Sequence, residues 1–147
     1  MRTRRTILLF GVISLAAFAA SKSDPVNHDR SGVAIQGYDP VAYFTDSKPV
    51  KGSAQFAYSW NSASWHFASA EHRDLFAKDP DRYAPQYGGY CTYGVSKNHT
   101  VDIDPEAWKI IDGKLYLNYN KSVQREFLKD PADHIQRAEQ NWPSLHN

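Results

Sequence analysis

The sequence has 147 residues, of which 17 are Lys or Arg and 16 are Asp or Glu, so its formal net charge is +1. This charge balance, without a basic patch, argues against nucleic acid as a partner. The single cysteine excludes an intramolecular disulfide, so packing must stabilise the fold. Four Trp, nine Tyr and seven Phe residues supply large anchors for a core.

Residues 1–19 have the pattern of a secretory signal peptide. Arg2, Arg4 and Arg5 precede an apolar run over residues 7–18, and about a dozen residues are fewer than the roughly 20 that span a bilayer as a helix. We predict cleavage after Ala19, which leaves a net charge near −2 and no stable membrane anchor. The mature protein is therefore expected in the periplasm or secreted, and the paired arginines leave the twin-arginine route open.

The next residues predict a tail and then a single domain of ordinary size over residues 32–147. Residues 20–31 are polar without periodicity and predict a flexible N-terminal tail. Residues 33–35 predict a short strand. Asp-Pro pairs favour helix starts, because Asp caps well and Pro suits the first helical position. Short helices or helical turns are therefore predicted from four prolines, which are Pro40, Pro80, Pro105 and Pro131.

An alternating aromatic pattern predicts a first β-hairpin around a turn at residues 61–63. The alternating residues before the turn are Phe56, Tyr58 and Trp60, and those after it are Trp65 and Phe67. If these aromatic side chains point to the core, the residue between the last two, His66, faces away from it.

The second predicted hairpin has Asp112-Gly113 as a two-residue turn. That register pairs Ile110 with Leu115 and Trp108 with Leu117 on one face. The other face is predicted to be mostly wet, and it carries Lys109, Lys114 and Tyr116.

Each hairpin is followed by a predicted helix. Ser69 can cap a helix over residues 70–78, and Asn120 can cap one over residues 121–129. A last helix over residues 132–141 should dock through Ile135, Ala138 and Trp142. Together these elements predict an α+β fold: an antiparallel sheet built from two β-hairpins, with short helices packed against it, in a single domain.

Several motifs within residues 38–90 resemble the YHS domain. They are Asp39-Pro40-Val41, Trp65-His66-Phe67-Ala68-Ser69, Phe76, Asp79-Pro80 and Tyr83. The resemblance implies a small module that occurs alone and in metal transporters, oxygenase subunits and exported proteins. The later YGGYC segment is similar to an extension of the exported members.

The resemblance also implies where a metal would bind in related proteins. In metal-binding relatives three cysteines supply soft thiolates, and the corresponding positions here are Ala42, Ala68 and His72. Alanine cannot bind a metal, whereas the neutral imidazole of a histidine at a helix start can. His72 is thus a candidate metal ligand, with an ordinary surface histidine as the alternative.

The only cysteine, Cys91, lies in a segment rich in tyrosine and glycine. The glycines allow tight turns, so the neighbouring tyrosines can line a small cofactor or ligand pocket with the thiol at its floor; they are Tyr87, Tyr90 and Tyr93. If Cys91, His72 and His66 converge, they suit copper or zinc. The alternatives are a buried thiol that only packs and a solvent-facing His66.

These observations predict an exported YHS-like binding protein that holds a transition metal ion or small ligand near the hairpin-helix junction. A thiol-dependent enzyme or redox protein that uses Cys91 is one alternative, and a protein-interaction module without a ligand is another. An enzyme is less favoured, because the sequence has no Ser-His-Asp signature, phosphate-binding glycine loop, Cys-x-x-Cys or His-Glu-x-x-His motif.

Overall fold

The computed structural model describes residues 11, 12, 14 and 21–147. The predicted signal peptide, its cleavage site and the export route fall almost wholly outside these residues and stay predictions. In the described part of the chain, no helix combines the length and the apolar character needed to cross a membrane.

The described chain forms an α+β fold, as the sequence predicts, with two antiparallel β-hairpins and several helices. The hairpins remain two separate two-stranded sheets. Short 3-10 turns lie at Ile35–Gly37 and Gln86–Gly89. The main elements in chain order are α1 (Pro40–Thr45), β1 (Ser53–Trp60), β2 (Ala63–Phe67), α2 (Ala70–Lys78), α3 (Pro80–Tyr83), α4 (Thr92–Ser96), β3 (Asp104–Ile111), β4 (Lys114–Asn118), α5 (Lys121–Lys129) and α6 (Pro131–Leu145).

The first hairpin pairs β1 with β2 and places Tyr58 opposite Trp65. Trp65 and Phe67 are fully buried, so the predicted inward face is confirmed. The turn is one residue shorter than predicted and consists of Asn61 and Ser62, whose φ angles are 51° and 64°. Both angles are positive because the tight turn that matches strand twist requires them.

The second hairpin has the predicted register, with Trp108 opposite Leu117 and Ile110 opposite Leu115. The prediction that its other face is mostly wet is wrong at Tyr116, which is only 3% exposed. The Tyr116 ring packs 6.0 Å from that of Phe127 in α5. α5 therefore covers this face at Tyr116, whereas Lys109 and Lys114 are exposed as predicted.

The helices after the hairpins have the predicted bounds and caps. Ser69 Oγ accepts a hydrogen bond from the His72 amide at 3.1 Å, and Asn120 Oδ1 accepts one from the Val123 amide at 2.8 Å. α6 extends beyond its predicted end to Leu145. Its predicted docking residues are confirmed in the second core cluster, which includes Ile135, Ala138 and Trp142.

Two local predictions are wrong because long-range pairing overrides them. Pro105 begins no helix and lies in β3, where Asp104 is paired with Asn118 across the hairpin. The Asp104 carboxylate still accepts a bond from the Glu106 amide at 2.9 Å, so the local capping contact forms without a helix. Residues 33–35 form no strand: Val33 and Ala34 make isolated bridges, and a 3-10 turn follows.

The segment predicted as a flexible tail packs against the domain over residues 21–31. Val26 is 1% exposed, and the Asn27 amide donates to the Gly88 carbonyl at 2.8 Å. Gly88 permits this approach, since a Cβ there would lie 2.1 Å from the Pro25 carbonyl oxygen. The Ser23 amide also donates to the Leu145 carbonyl. One apolar anchor and these backbone bonds hold a polar segment that periodicity alone could not place.

The main core is an aromatic cluster centred on Phe76 of α2. The Phe76 ring lies 5.1–6.3 Å from four other rings of the first hairpin, which belong to Tyr58, Trp60, Trp65 and Phe67. Tilted and edge-on ring pairs of this kind stabilise beyond their buried area. The cluster fixes α2 against the hairpin and thereby positions the residues at the start of α2.

Candidate functional site

A buried carboxylate, Asp39, joins the start of α1 to the junction between β2 and α2. Its Oδ1 atom accepts hydrogen bonds from the amides of Val41 at 2.9 Å and Ala42 at 3.2 Å. Its Oδ2 atom accepts one from the Ala68 amide at 2.9 Å. Asp39 is 0% exposed, so these donors replace the water that it loses on burial. The carboxylate therefore both caps α1 and holds it against the hairpin.

His72 is the fourth partner of this carboxylate. Its Nδ1 atom lies 2.6 Å from Asp39 Oδ2. Because a carboxylate oxygen accepts, Nδ1 donates, and the lone pair of the neutral ring is then on Nε2. The side chain of His72 is 15% exposed. Such a carboxylate contact is the usual way in which proteins orient a metal-binding histidine.

The Nε2 edge of His72 faces polar groups at the end of α1. Nε2 lies 3.3 Å from Thr45 Oγ1, and the same hydroxyl lies 2.9 Å from Asp46 Oδ1. Both residues are exposed. At the surface, the Thr45 hydroxyl therefore lies beside Nε2, and the Asp46 carboxylate lies next to that hydroxyl.

The three positions that carry cysteine in metal-binding relatives meet at Asp39. The backbone amides of Ala42 and Ala68 and the ring of His72 all bond to its carboxylate. The sequence predicts a binding site near the hairpin-helix junction but does not identify Asp39 as its centre. The Asp-Pro start of α1 is the available signal, since it identifies Asp39 as a helix cap.

His66 lies elsewhere on the first hairpin. It is half-buried on β2 between the buried Trp65 and Phe67, so it points away from the core as predicted. A Cβ added at Gly37 would lie 3.6 Å from His66 Nδ1 and 3.5 Å from Lys51 Nζ. The His66 ring and the Lys51 ammonium therefore both border Gly37.

Cys91 is fully buried and acts as the cap of α4. Its sulfur accepts from the Gly94 amide at 3.4 Å and the Tyr119 amide at 3.2 Å, and its thiol donates to Asn118 Oδ1 at 3.7 Å. Burial raises the pKa of the Cys91 thiol, although these backbone amides offset part of the effect. Of the two interpretations left open by the sequence, the geometry favours a packing residue.

The three tyrosines near Cys91 do not form one pocket. The Tyr87 hydroxyl donates to Glu139 Oε1 at 2.9 Å, and burial followed by this bond raises the pKa of Tyr87. The Tyr90 hydroxyl donates to the Asp24 carbonyl at 3.1 Å. Only Tyr93 lines the cavity of about 170 Å³ beside Cys91. The predicted pocket is wrong because α6 and the N-terminal segment bind the other two side chains.

The predicted metal ligands His72, Cys91 and His66 are likewise not brought together. Among the residues that the structure describes, no group of three or more His, Cys, Asp or Glu side chains is arranged to hold a metal ion. The partners of Cys91 come from α4 and the end of β4, whereas those of His72 come from α1 and its cap. Different parts of the fold therefore hold the two side chains.

The family model of the YHS domain matches residues 41–87. These residues are a YHS domain. The match covers α1, the first hairpin, α2 and α3, and so includes His72. YHS domains are generally associated with metal-binding or heavy-metal-associated proteins. Comparison with curated proteins and with solved structures gave no match.

The thiol of Cys91, just beyond the YHS domain, is expected to be inert in the folded protein. Only the thiolate attacks a disulfide reagent, and here burial both blocks access and raises the pKa. We expect a reaction with Ellman's reagent that is at least about 100-fold slower under native conditions than in guanidinium, because it waits for local opening. One full equivalent of thiol reacting rapidly with the folded protein would contradict this.

Proposed function

We propose that this chain is an exported, non-enzymatic binding protein of the YHS type that holds a divalent copper or zinc ion at His72. The contact that carries the proposal is the 2.6 Å hydrogen bond between His72 Nδ1 and the buried Asp39 carboxylate. It fixes the ring and directs Nε2 toward the surface end of α1. Such preorientation supports ligand binding, since the ring loses little rotational freedom when a ligand arrives.

The donors at this site are nitrogen and oxygen rather than sulfur. The Thr45 hydroxyl lies beside Nε2 and donates to the Asp46 carboxylate, and the two family positions that would add thiolates are alanines. Copper(II) and zinc both accept imidazole and carboxylate ligands, and a site with few protein donors leaves positions for water or a small ligand. When bound, the ion would therefore be accessible rather than enclosed.

A thiol-dependent activity has less support. The polar groups around the Cys91 sulfur are backbone amides and the Asn118 side chain, and none of these can take a proton from the thiol. Nucleophilic catalysis by cysteine needs a base within hydrogen-bond reach. The raised pKa of Cys91 also argues against nucleophilic catalysis, because it lowers the fraction of reactive thiolate.

The test is a titration of the purified protein with copper(II) and with zinc, followed by calorimetry. Substitution His72→Ala should weaken binding at least about 10-fold, the scale on which metal sites respond to lost contacts. His66→Ala is the matched control, because it removes another half-buried ring from the same YHS domain without touching Asp39. Asp46→Asn should give a smaller loss. Equal affinity of the natural protein and His72→Ala would refute the proposal.

A further inference from the structure

Two neighbouring cavities share a wall at the tip of the first hairpin, at the opposite end from His72. One has a volume of about 180 Å³ and the other about 360 Å³. Trp60 and Asn61 line both. Taken together, the cavities fall within the roughly 300–1,000 Å³ of typical small-molecule sites. The two cavities therefore form one composite site, with the Trp60 indole between them.

The walls of the two cavities are mainly aromatic and polar, and the larger cavity is lined by no titratable side chain. Within the described chain, no Asp, Glu, Lys or Arg side chain lines either of them. Trp142 and His146 are stacked with their rings 4.0 Å apart and border the smaller cavity. Ser62 and Ser64 border the larger one. In the larger cavity a charged ligand would find no opposite charge, whereas a neutral ligand rich in hydroxyl groups would find an indole, an amide and hydroxyls.

The turn between the cavities has one side chain that its backbone disfavours, that of Ser62, since Asn61 readily adopts a positive φ. Asn61 and Ser62 have φ angles of 51° and 64°, in the left-handed region. At the matching position of the second hairpin the chain has Gly113, with φ 74°, which carries no such cost. Ser62 is therefore retained where glycine would suit the turn better. Strain held at an exposed site is a reason to look for a use of the side chain.

We propose that the two cavities form a binding site for a neutral saccharide chain. The exposed part of the Trp60 indole would pack against the apolar face of a sugar ring, as amphipathic rings do in ligand sites. The amide of Asn61 and the hydroxyls of Ser62 and Ser64 would bond the ring hydroxyls. A flat aromatic ligand would stack equally well but would make no hydrogen bonds to these polar groups. The site shares no residue with the His72 site and does not depend on it.

The experiment records calorimetry and tryptophan fluorescence while the protein is titrated with N-acetylated chitotetraose and with cellotetraose. We expect the natural protein to bind at least one of them with Kd below about 1 mM, with a fluorescence change because Trp60, Trp65 and Trp142 line the site. The double substitution Asn61→Gly and Ser62→Gly removes both polar side chains and suits the positive φ angles. It should weaken binding at least 10-fold while the melting temperature stays equal or rises.

The matched control is Asp112→Gly, which makes the same change at the first turn position of the second hairpin, where φ is also 51°. It should leave saccharide affinity unchanged. The proposal is overturned if neither saccharide binds the natural protein. It is also overturned if the double variant binds as well as the natural protein, or if Asp112→Gly weakens binding to the same degree. Loss of affinity in the double variant alone supports it.

Discussion

Replacing Phe67 by alanine is expected to lower the free energy of unfolding by about 3–5 kcal/mol, the range for a buried phenylalanine. Phe67 is fully buried at the end of β2, and its ring lies 5.1 Å from that of Phe76. The substitution leaves a cavity beside the ring that anchors α2 to the hairpin. Denaturant unfolding followed by tryptophan fluorescence measures the loss.

Leu128→Ala in α5 is the control, since it also shortens a large apolar side chain but at a position that is 39% exposed. It should change the free energy of unfolding by no more than about 0.5 kcal/mol. A loss below about 1 kcal/mol for Phe67→Ala would mean that the hairpin packs on its other face, since only a residue outside the core tolerates such a truncation.

The second large effect is expected from combining Ala42→Cys, Ala68→Cys and His72→Cys. The backbone of the first two positions and the ring of the third converge on Asp39. Three thiolates and one water complete the tetrahedral coordination of zinc. We expect zinc affinity at least about 100-fold above that of the natural protein, because structural zinc-thiolate sites bind far more strongly than open sites. Titration under reducing conditions measures it.

A variant with only Ala42→Cys and Ala68→Cys shows how much zinc affinity the third thiolate adds, because this variant retains the His72 imidazole at that position. Without metal, the triple variant should be the less stable of the two, since Asp39 loses the imidazole donor at 2.6 Å. Zinc should then raise its melting temperature. If the triple variant folds without any gain in zinc affinity, the side chains diverge although their backbones meet.

Features that depend on neighbouring residues could be predicted from the sequence. Ser69 and Asn120 cap helices because each side chain reaches an amide three residues ahead. The Asp112-Gly113 turn fixes the register of the second hairpin because a two-residue turn leaves one pairing. The same local rule is wrong at Pro105, where pairing of Asp104 with the distant Asn118 decides the structure.

The candidate site could be predicted only in part. The family motif identifies position 72, but the bonds from Asp39 to Ala68 and His72 join residues 29 and 33 positions apart. Neither spacing nor periodicity indicates which buried carboxylate a given histidine will meet. At Cys91, a local sequence pattern instead predicts a pocket that the structure does not form. The neighbouring tyrosines suggest a shared pocket, but the Tyr87 hydroxyl bonds to Glu139 and the Tyr90 hydroxyl bonds to the N-terminal segment.

The Asp39 carboxylate couples the local opening of two segments of the chain. It is the common acceptor for the amides of Val41, Ala42 and Ala68. If any one of the segments that supply these donors separates, a buried carboxylate is left short of partners, which costs more than the lost bond. The start of α1 and the end of β2 should therefore open together, as one cooperative unit in native-state hydrogen exchange. Protection of these three amides would then report a single opening free energy rather than three independent ones.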